Sequence, residues 1–358
     1  MLNQESSERL NLIRFPLIVG VVFIHAYAST VGMAGGEIGN LQHGQLNEHV
    51  RDFISEGLAR VAVPLFYFMS GFLFFHHFVW SKEAYLNKLR GRVKTLLVPF
   101  LFWNLLTLAV YATAQAIPAT SIYFSGRWTP PVAAFGTFDY FNLIFGLNRY
   151  PIAYQFWFVR DLMFLVVVSP FIYFLLKRFS LLLPALVFIF WISNRWPIYI
   201  PYGEGLLFFC VGAYIGIRSF NPFGLDKYGK IIAIIYFVIL MADTLTKGQP
   251  YNYPIHKTGI VFGLVSVLYL TRFVVQRPAA KKVFLWLSAT SFFVYAFHEP
   301  LLIIVRKLIY KFFAPSTNFE VLAGYFLAPC LVISISIGIY LVLRHMLPKF
   351  TRIIVGGR

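Results

Sequence analysis

Arg14 and His25 stand eleven residues apart within the first long apolar run of the chain. Eleven helical steps of about 100° return to within about 20° of the start, so one helix face carries both side chains, separated by roughly 16 Å along the axis. Such a face offers a cation at its base and an imidazole deep inside. An ionisable group in hydrocarbon costs several kcal/mol unless it meets a cavity or a partner, which makes each a candidate for chemistry. For Arg14 the plain reading is a snorkelling anchor at the cytoplasmic headgroups, and the sharper one is a clamp for an anionic substrate. His25 lies about twelve residues into the run, roughly 18 Å deep by helical rise. It reads either as an interhelical hydrogen bond or as a general base, because imidazole titrates near operating pH.

Further polar residues recur at similar depth. The segment Arg60-Val61-Ala62-Val63-Pro64-Leu65-Phe66-Tyr67-Phe68-Met69-Ser70-Gly71-Phe72 is interrupted by proline and carries a Ser-Gly pair, with Arg60 near its outer end. Ser70-Gly71 suits a helix contact as well as a polar site. Trp157-Phe158-Val159-Arg160-Asp161-Leu162 sets opposite charges side by side. Neighbours on a helix point about 100° apart, so Arg160 or Asp161 must find a partner elsewhere, in an ion pair or on a substrate. Ser291 to Pro300 reads SFFVYAFHEP and brings His298 and Glu299 to the outer half as well. A shared depth for His25, Arg60, Arg160, Asp161, His298 and Glu299 predicts a polar cavity opening outward. Lys88, Arg90, Arg92 and Lys94 form a basic cluster before the third run, suited to positive-inside anchoring or to several phosphates. Between 118 and 152, Tyr123, Phe124, Trp128, Phe135, Phe138 and Tyr140 with Pro130 and Pro131 suit an interfacial aromatic belt or a lid stacking on sugar rings.

Positioning these residues falls to membrane helices. The chain has 358 residues, 59% hydrophobic and 13% charged, with a mean hydropathy of +0.70, which excludes an ordinary soluble domain. Apolar runs predict an all-α, polytopic bundle of about ten transmembrane helices, near 11 to 33, 52 to 79, 93 to 117, 153 to 177, 180 to 194, 204 to 218, 229 to 246, 257 to 274, 283 to 310 and 321 to 346. Lys and Arg follow every second run, which predicts cytoplasmic termini. Arg306, Lys307 and Lys311 break that alternation. The net charge of +17 gathers on the cytoplasmic side, where it meets anionic lipid and requires no nucleic acid. Glu5, Glu8 and Arg9 before the first run do not suit a removable signal peptide. Cys210 and Cys330 lie in apolar runs without metal-ligand or disulfide spacing. No internal repeat is visible, so residues 1–358 are expected to form a single membrane domain without a soluble appendage.

Taken in order, the Arg14 to His25 spacing, RVAVPLFYFMSGF, the basic loop ending in Val98-Pro99-Phe100, WFVRDL and SFFVYAFHEP resemble the acyltransferase family 3 of integral membrane proteins. The similarity runs over nearly the entire chain. The resemblance implies transfer of an acyl group, most often acetyl from cytoplasmic acetyl-CoA, to carbohydrate of the cell envelope, with Arg14 and His25 as the functional pair. Some family members carry an extracytoplasmic hydrolase-like domain for which this chain has no room. Direct acylation of the glycan, or relay to a separate extracytoplasmic partner protein, both remain open.

The expected activity is that of a bacterial inner-membrane O-acetyltransferase. In it Arg14, Lys88, Arg90, Arg92 and Lys94 hold the CoA phosphates, and His25 takes the proton of a glycan or lipid-linked sugar hydroxyl. Arg60, Arg160 and His298 are candidates to meet the oxyanion, and Glu299 or Asp161 to orient the imidazole, with Ser70 on the acceptor side. No permanently bound cofactor and no metal is expected. The competing reading is an exporter or flippase of polysaccharide or lipid-linked sugar, since intramembrane charges also line translocation paths.

Overall fold

The computed structural model describes residues 4–28, 30–33, 36–38, 45–124 and 131–357. Helices α1 (Gln4–Leu12) and α2 (Arg14–His25) precede a short antiparallel hairpin of β1 (Val31–Met33) and β2 (Gly36–Ile38). Helix α3 (Gln45–Arg51) passes through π and 3-10 turns into α4 (Ala62–Phe75), and α5 (Lys82–Arg92) through a π turn into α6 (Val98–Ala116). Then come α7 (Pro118–Phe124), α8 (Thr137–Phe145), α9 (Trp157–Val167), α10 (Ser169–Phe179), α11 (Leu182–Ile192) and α12 (Gly203–Ile217). The chain closes with α13 (Gly229–Leu245), α14 (Asn252–Val275), α15 (Pro278–Ser288), α16 (Ser291–Phe313), α17 (Asn318–Met346) and α18 (Pro348–Ile354).

Among the described residues five helices are long and apolar enough to cross a membrane: Gln45–Phe75, Lys82–Ala116, Asp226–Leu245, Asn252–Val275 and Asn318–Met346. The expected fourth run is instead two helices, α9 and α10, bent by 65° at Val168 just before Pro170, and counting them as one span makes six. A proline ring at that position disfavours helical geometry in the residues before it. The first run is also shorter than its apolarity suggests. Helix α2 stops at His25, and beyond it Arg306 donates to the carbonyls of Ala28 and Thr30, so these groups need no further helical turn. That contact gives Arg306, which breaks the expected charge alternation, its place. The expected run from 283 to 310 is divided into α15 and α16, and α16 is itself broken at Glu299. Trp128 and Pro130 of the aromatic segment lie outside the described residues; Tyr140 is held there by a 2.8 Å hydrogen bond to the Val132 carbonyl.

The chain divides into two compact units. One comprises His25–Val50, Lys94–Arg160 and Phe292–Arg358. Its core is aromatic: Phe100, Phe156, Phe292, Phe293 and Tyr340 are buried and meet one another edge to face or at a tilt. Polar ties fix the register of that core. The Trp103 indole donates to the Ile354 carbonyl at 3.0 Å, and buried Asn104 accepts from the Ala153 amide at 3.1 Å. Helix α17 begins with a capping box in which Thr317 accepts from the Glu320 amide and Glu320 accepts from the Thr317 amide.

The other unit comprises Met1–Ile24, Arg51–Val93 and Asp161–Ser291. Its centre is the close crossing of α4 and α12. A Cβ placed on Gly71 would come within 2.1 Å of the Phe209 carbonyl oxygen, and one on Gly212 within 2.0 Å of that of Phe68. Gly212 and Gly216 form a small-xxx-small stripe, and Ser70-Gly71 belongs to the surface opposite it. Buried Arg9 anchors α1: it donates to both Asp226 carboxylate oxygens at 2.6 and 3.1 Å, to Thr271 and to the Leu268 carbonyl, with its guanidinium stacked 3.7 Å from the Phe223 ring centre. Asp243 ties α13 to α14 by accepting from Lys247 at 3.0 Å, Asn252 at 2.8 Å and His256 at 2.9 Å. If backbone contact sets the α4 to α12 distance, Gly212→Ala lowers stability by about 1 to 3 kcal/mol through overpacking. Gly338→Ala, where a Cβ meets nothing within 4 Å, does not. Thermal unfolding midpoints in detergent, compared for the two variants, check this.

Candidate active site

Pro300 begins the construction. It has no N–H to donate to the carbonyl four residues earlier, that of Ala296, and the backbone at Glu299 is extended (φ −115°, ψ 135°), so α16 is interrupted there. Inside an apolar bundle the freed carbonyls need an outside donor. Gln155, in the 3-10 turn Tyr154–Phe156, supplies one: its Nε2 donates to the carbonyls of Ala296 at 3.1 Å and Glu299 at 3.2 Å. Tyr295 answers by donating its hydroxyl to the Gln155 carbonyl at 2.6 Å. The turn and the helix break are thereby locked together.

That lock sets Tyr154 beside Glu299. The Tyr154 hydroxyl donates to Glu299 Oε1 at 3.0 Å and lies 3.0 Å from His25 Nδ1. The rings of Tyr154 and His25 meet edge to face with centres 5.0 Å apart, and His298 packs against His25 at a tilt with centres 5.2 Å apart. His298 is fully buried, and its Nδ1 lies 2.6 Å from the Tyr295 carbonyl, which can only accept. Nδ1 therefore carries the proton, and a neutral His298 presents a bare lone pair at Nε2. Among the described residues, His298 Nε2, Glu299 Oε2 and Gln155 Oε1 are buried without hydrogen-bond partners. All of them accept when His298 is neutral and Glu299 ionised. The structure thus brings His25, His298 and Glu299 of the expected outer set together.

The remaining members of that set have partners of their own. Arg160, 6% exposed, donates to the carbonyls of Gly146 and Arg149 and holds the turn after α8. Asp161 is fully buried and accepts from the Tyr202 amide at 2.8 Å. Arg60 pairs with Glu56 one helical turn earlier. Ser70 is half-buried beside the α4 to α12 crossing.

Of the expected basic set, Lys88 lies near enough to Arg92 to feel its charge, and Arg92 near enough to Arg14 to feel that of Arg14. Lys88 reaches back to donate to the Phe74 carbonyl, its ammonium 4.9 Å from the Phe74 ring centre. Among the described residues none of these cations has a carboxylate partner. Arg90 is exposed and donates to Asn87, and Lys94 is exposed.

Tyr154 and Gln155 are the residues that sequence reasoning missed. A signal for Gln155 was present: a proline within the apolar run at 300 leaves a carbonyl that some amide must satisfy, and Gln155 is an amide just before an apolar helix. Tyr154 becomes visible only through that pairing.

Comparison with known proteins places the whole chain among relatives. The succinoglycan biosynthesis protein ExoH of Rhizobium meliloti (strain 1021) is 25% identical over an alignment covering 98% of this chain and 92% of the relative. No solved structure matches. The family described as an acyltransferase domain matches residues 7–342, a range that holds the His25 site and the basic cluster together. With its several apolar helices long enough to span a bilayer, this chain belongs to acyltransferase family 3 and is a multi-pass membrane enzyme that transfers acyl groups.

Proposed function

We propose that this protein is an O-acetyltransferase of the bacterial inner membrane that moves acetyl from cytoplasmic acetyl-CoA to a hydroxyl of a cell-surface polysaccharide or its lipid-linked precursor. The observation that carries the reading is a set of buried acceptors without partners among the described residues, His298 Nε2, Glu299 Oε2 and Gln155 Oε1, of which His298 packs against His25. Leaving each unsatisfied costs about 1 to 3 kcal/mol, which a donor-rich ligand such as a sugar recovers. An anionic ligand would be repelled there. The name of the relative, a succinoglycan biosynthesis protein, supports a polysaccharide acceptor.

In this reading His25 removes the hydroxyl proton as the oxygen bonds to the thioester carbonyl carbon. The C–S bond then breaks, and the proton passes to the departing CoA sulfur. Arg14, Arg92 and Lys88 are the core of the phosphate clamp, and Arg90 and Lys94 add exposed positive charge. About ten membrane passages in one domain, with both termini cytoplasmic, would place this clamp on the acetyl-CoA side. An extracytoplasmic partner would be needed only if the glycan were acylated away from the membrane.

Purified protein given acetyl-CoA and a soluble glycan should release free thiol and acetylated product. His25→Ala should slow that release by about 10²- to 10⁴-fold. A glycan exporter or flippase would instead move unmodified substrate without consuming the thioester, and undiminished transfer by His25→Ala would remove the base from the mechanism. Arg14→Ala and Arg92→Ala should each raise the KM for acetyl-CoA by about 10- to 100-fold, the loss of a charge-assisted hydrogen bond. The KM for S-acetylpantetheine, which lacks the nucleotide phosphates, should change far less. Steady-state kinetics with both donors checks this.

A further inference from the structure

We infer that Tyr154 is a positioning residue that fixes the tautomer of His25, an inference that rests on the proposed role of His25 as base. Tyr154 owns one hydroxyl proton and has two neighbours at hydrogen-bond distance, Glu299 Oε1 and His25 Nδ1, each at 3.0 Å. An ionised Glu299 can only accept, so it takes the tyrosine proton. The hydroxyl oxygen then faces His25 with lone pairs, and His25 Nδ1 must be the donor. Nε2 is left bare, as a base that attacks an alcohol proton requires. Were Glu299 a neutral acid, the chain would run backwards: carboxyl to tyrosine, tyrosine to Nδ1, and a proton on Nε2 that disables the base.

Two further groups bear on the relay. Arg306, which donates to the carbonyls of Ala28 and Thr30, lies near enough to act electrostatically on both Glu299 and Tyr154. Tyr111, from α6, also feels the Glu299 charge. His298, whose ring packs against that of His25, is a further titratable group beside the relay. During transfer the abstracted proton stays on Nε2 until the sulfur takes it. Tyr154 and Glu299 keep their own protonation states and stabilise the imidazolium by orientation and charge.

Tyr154→Phe keeps the ring and removes the hydroxyl. It should lower kcat by about 10²- to 10⁴-fold, as expected when a catalytic histidine loses its tautomer. The KM for acetyl-CoA should stay within about twofold. Glu299→Gln, whose amide can donate to the tyrosine, should lower kcat comparably, and the double variant should be no worse than either alone, as for residues acting as a unit. Nitrogen NMR of histidine-labelled wild-type protein supplies a readout independent of turnover and of any variant's folding. The expected signature for His25 is a protonated Nδ1 and a bare Nε2. A protonated Nε2 in the wild type, or a Tyr154→Phe enzyme with unchanged kcat and pH profile, overturns the inference. Absence of thiol release by the wild type would instead sink the acyltransfer reading, while the NMR result would still decide the relay.

Discussion

A backbone carbonyl that its own helix cannot satisfy organises the site. Pro300 withholds a donor from the Ala296 carbonyl, and in an apolar interior water does not make up the loss. Gln155 does, and by bridging the carbonyls of Ala296 and Glu299 it binds a short turn to a broken helix. Everything chemical follows from that bridge. Tyr154 precedes Gln155 and so falls on Glu299; His298 precedes Glu299 and so falls against His25. A helix break that would be a defect in a plain span here turns two ionisable side chains inward. The Tyr295 hydroxyl, donating in the opposite direction to the Gln155 carbonyl, keeps the two segments from sliding past each other.

Charge sorting separates scaffold from site. In the scaffold, ionisable groups meet their complements: Arg9 with Asp226, Asp243 with Lys247 and His256, Arg60 with Glu56. Such pairs close on themselves and leave nothing for a ligand. Two groups of residues do not. Among the described residues, Arg14, Arg92 and Lys88 gather positive charge without a carboxylate, whereas His298 Nε2, Glu299 Oε2 and Gln155 Oε1 gather lone pairs without a donor. The first suits polyphosphate and the second suits hydroxyls, and neither suits the other's ligand. The chain that separates them in sequence, α2, carries Arg14 at its first residue and His25 at its last.

Much of this was legible in the sequence, and the limits of legibility are physical. Ionisable residues in apolar runs announce themselves, because hydrocarbon makes them expensive; hence Arg14, His25, His298 and Glu299 stand out as candidates in the sequence alone. Ser70-Gly71 was read as either a helix contact or a site, and the close backbone approach places Gly71 at a contact. Hydropathy could not show where helices end. It ran α2 on into β1, joined α9 to α10 and fused α15 with α16, since the end of α2 is met by a distant donor and the break between α9 and α10 by a proline rather than by loss of apolarity. Tyr154 and Gln155 stayed hidden for a related reason. Neither breaks an apolar pattern, and both matter only for a carbonyl and a carboxylate some 140 residues away in sequence.

The same geometry narrows the search for the group that meets the oxyanion. A thioester attacked by an alkoxide gathers negative charge on its carbonyl oxygen, and stabilising it takes donors. Arg160 and Arg60 were natural candidates, yet the first supports the turn after α8 and the second pairs with Glu56. His298 fails for a subtler reason: its one proton in the neutral state points at the Tyr295 carbonyl, so its free nitrogen would repel an oxyanion. On the proposed chemistry the positive charge that develops at the same moment as the oxyanion is the imidazolium of His25 itself. A base that becomes the counter-ion of its own transition state needs its charge held by a carboxylate at one remove, close enough to stabilise it and too well occupied to take its proton. Glu299, already holding the tyrosine hydroxyl, stands at that remove.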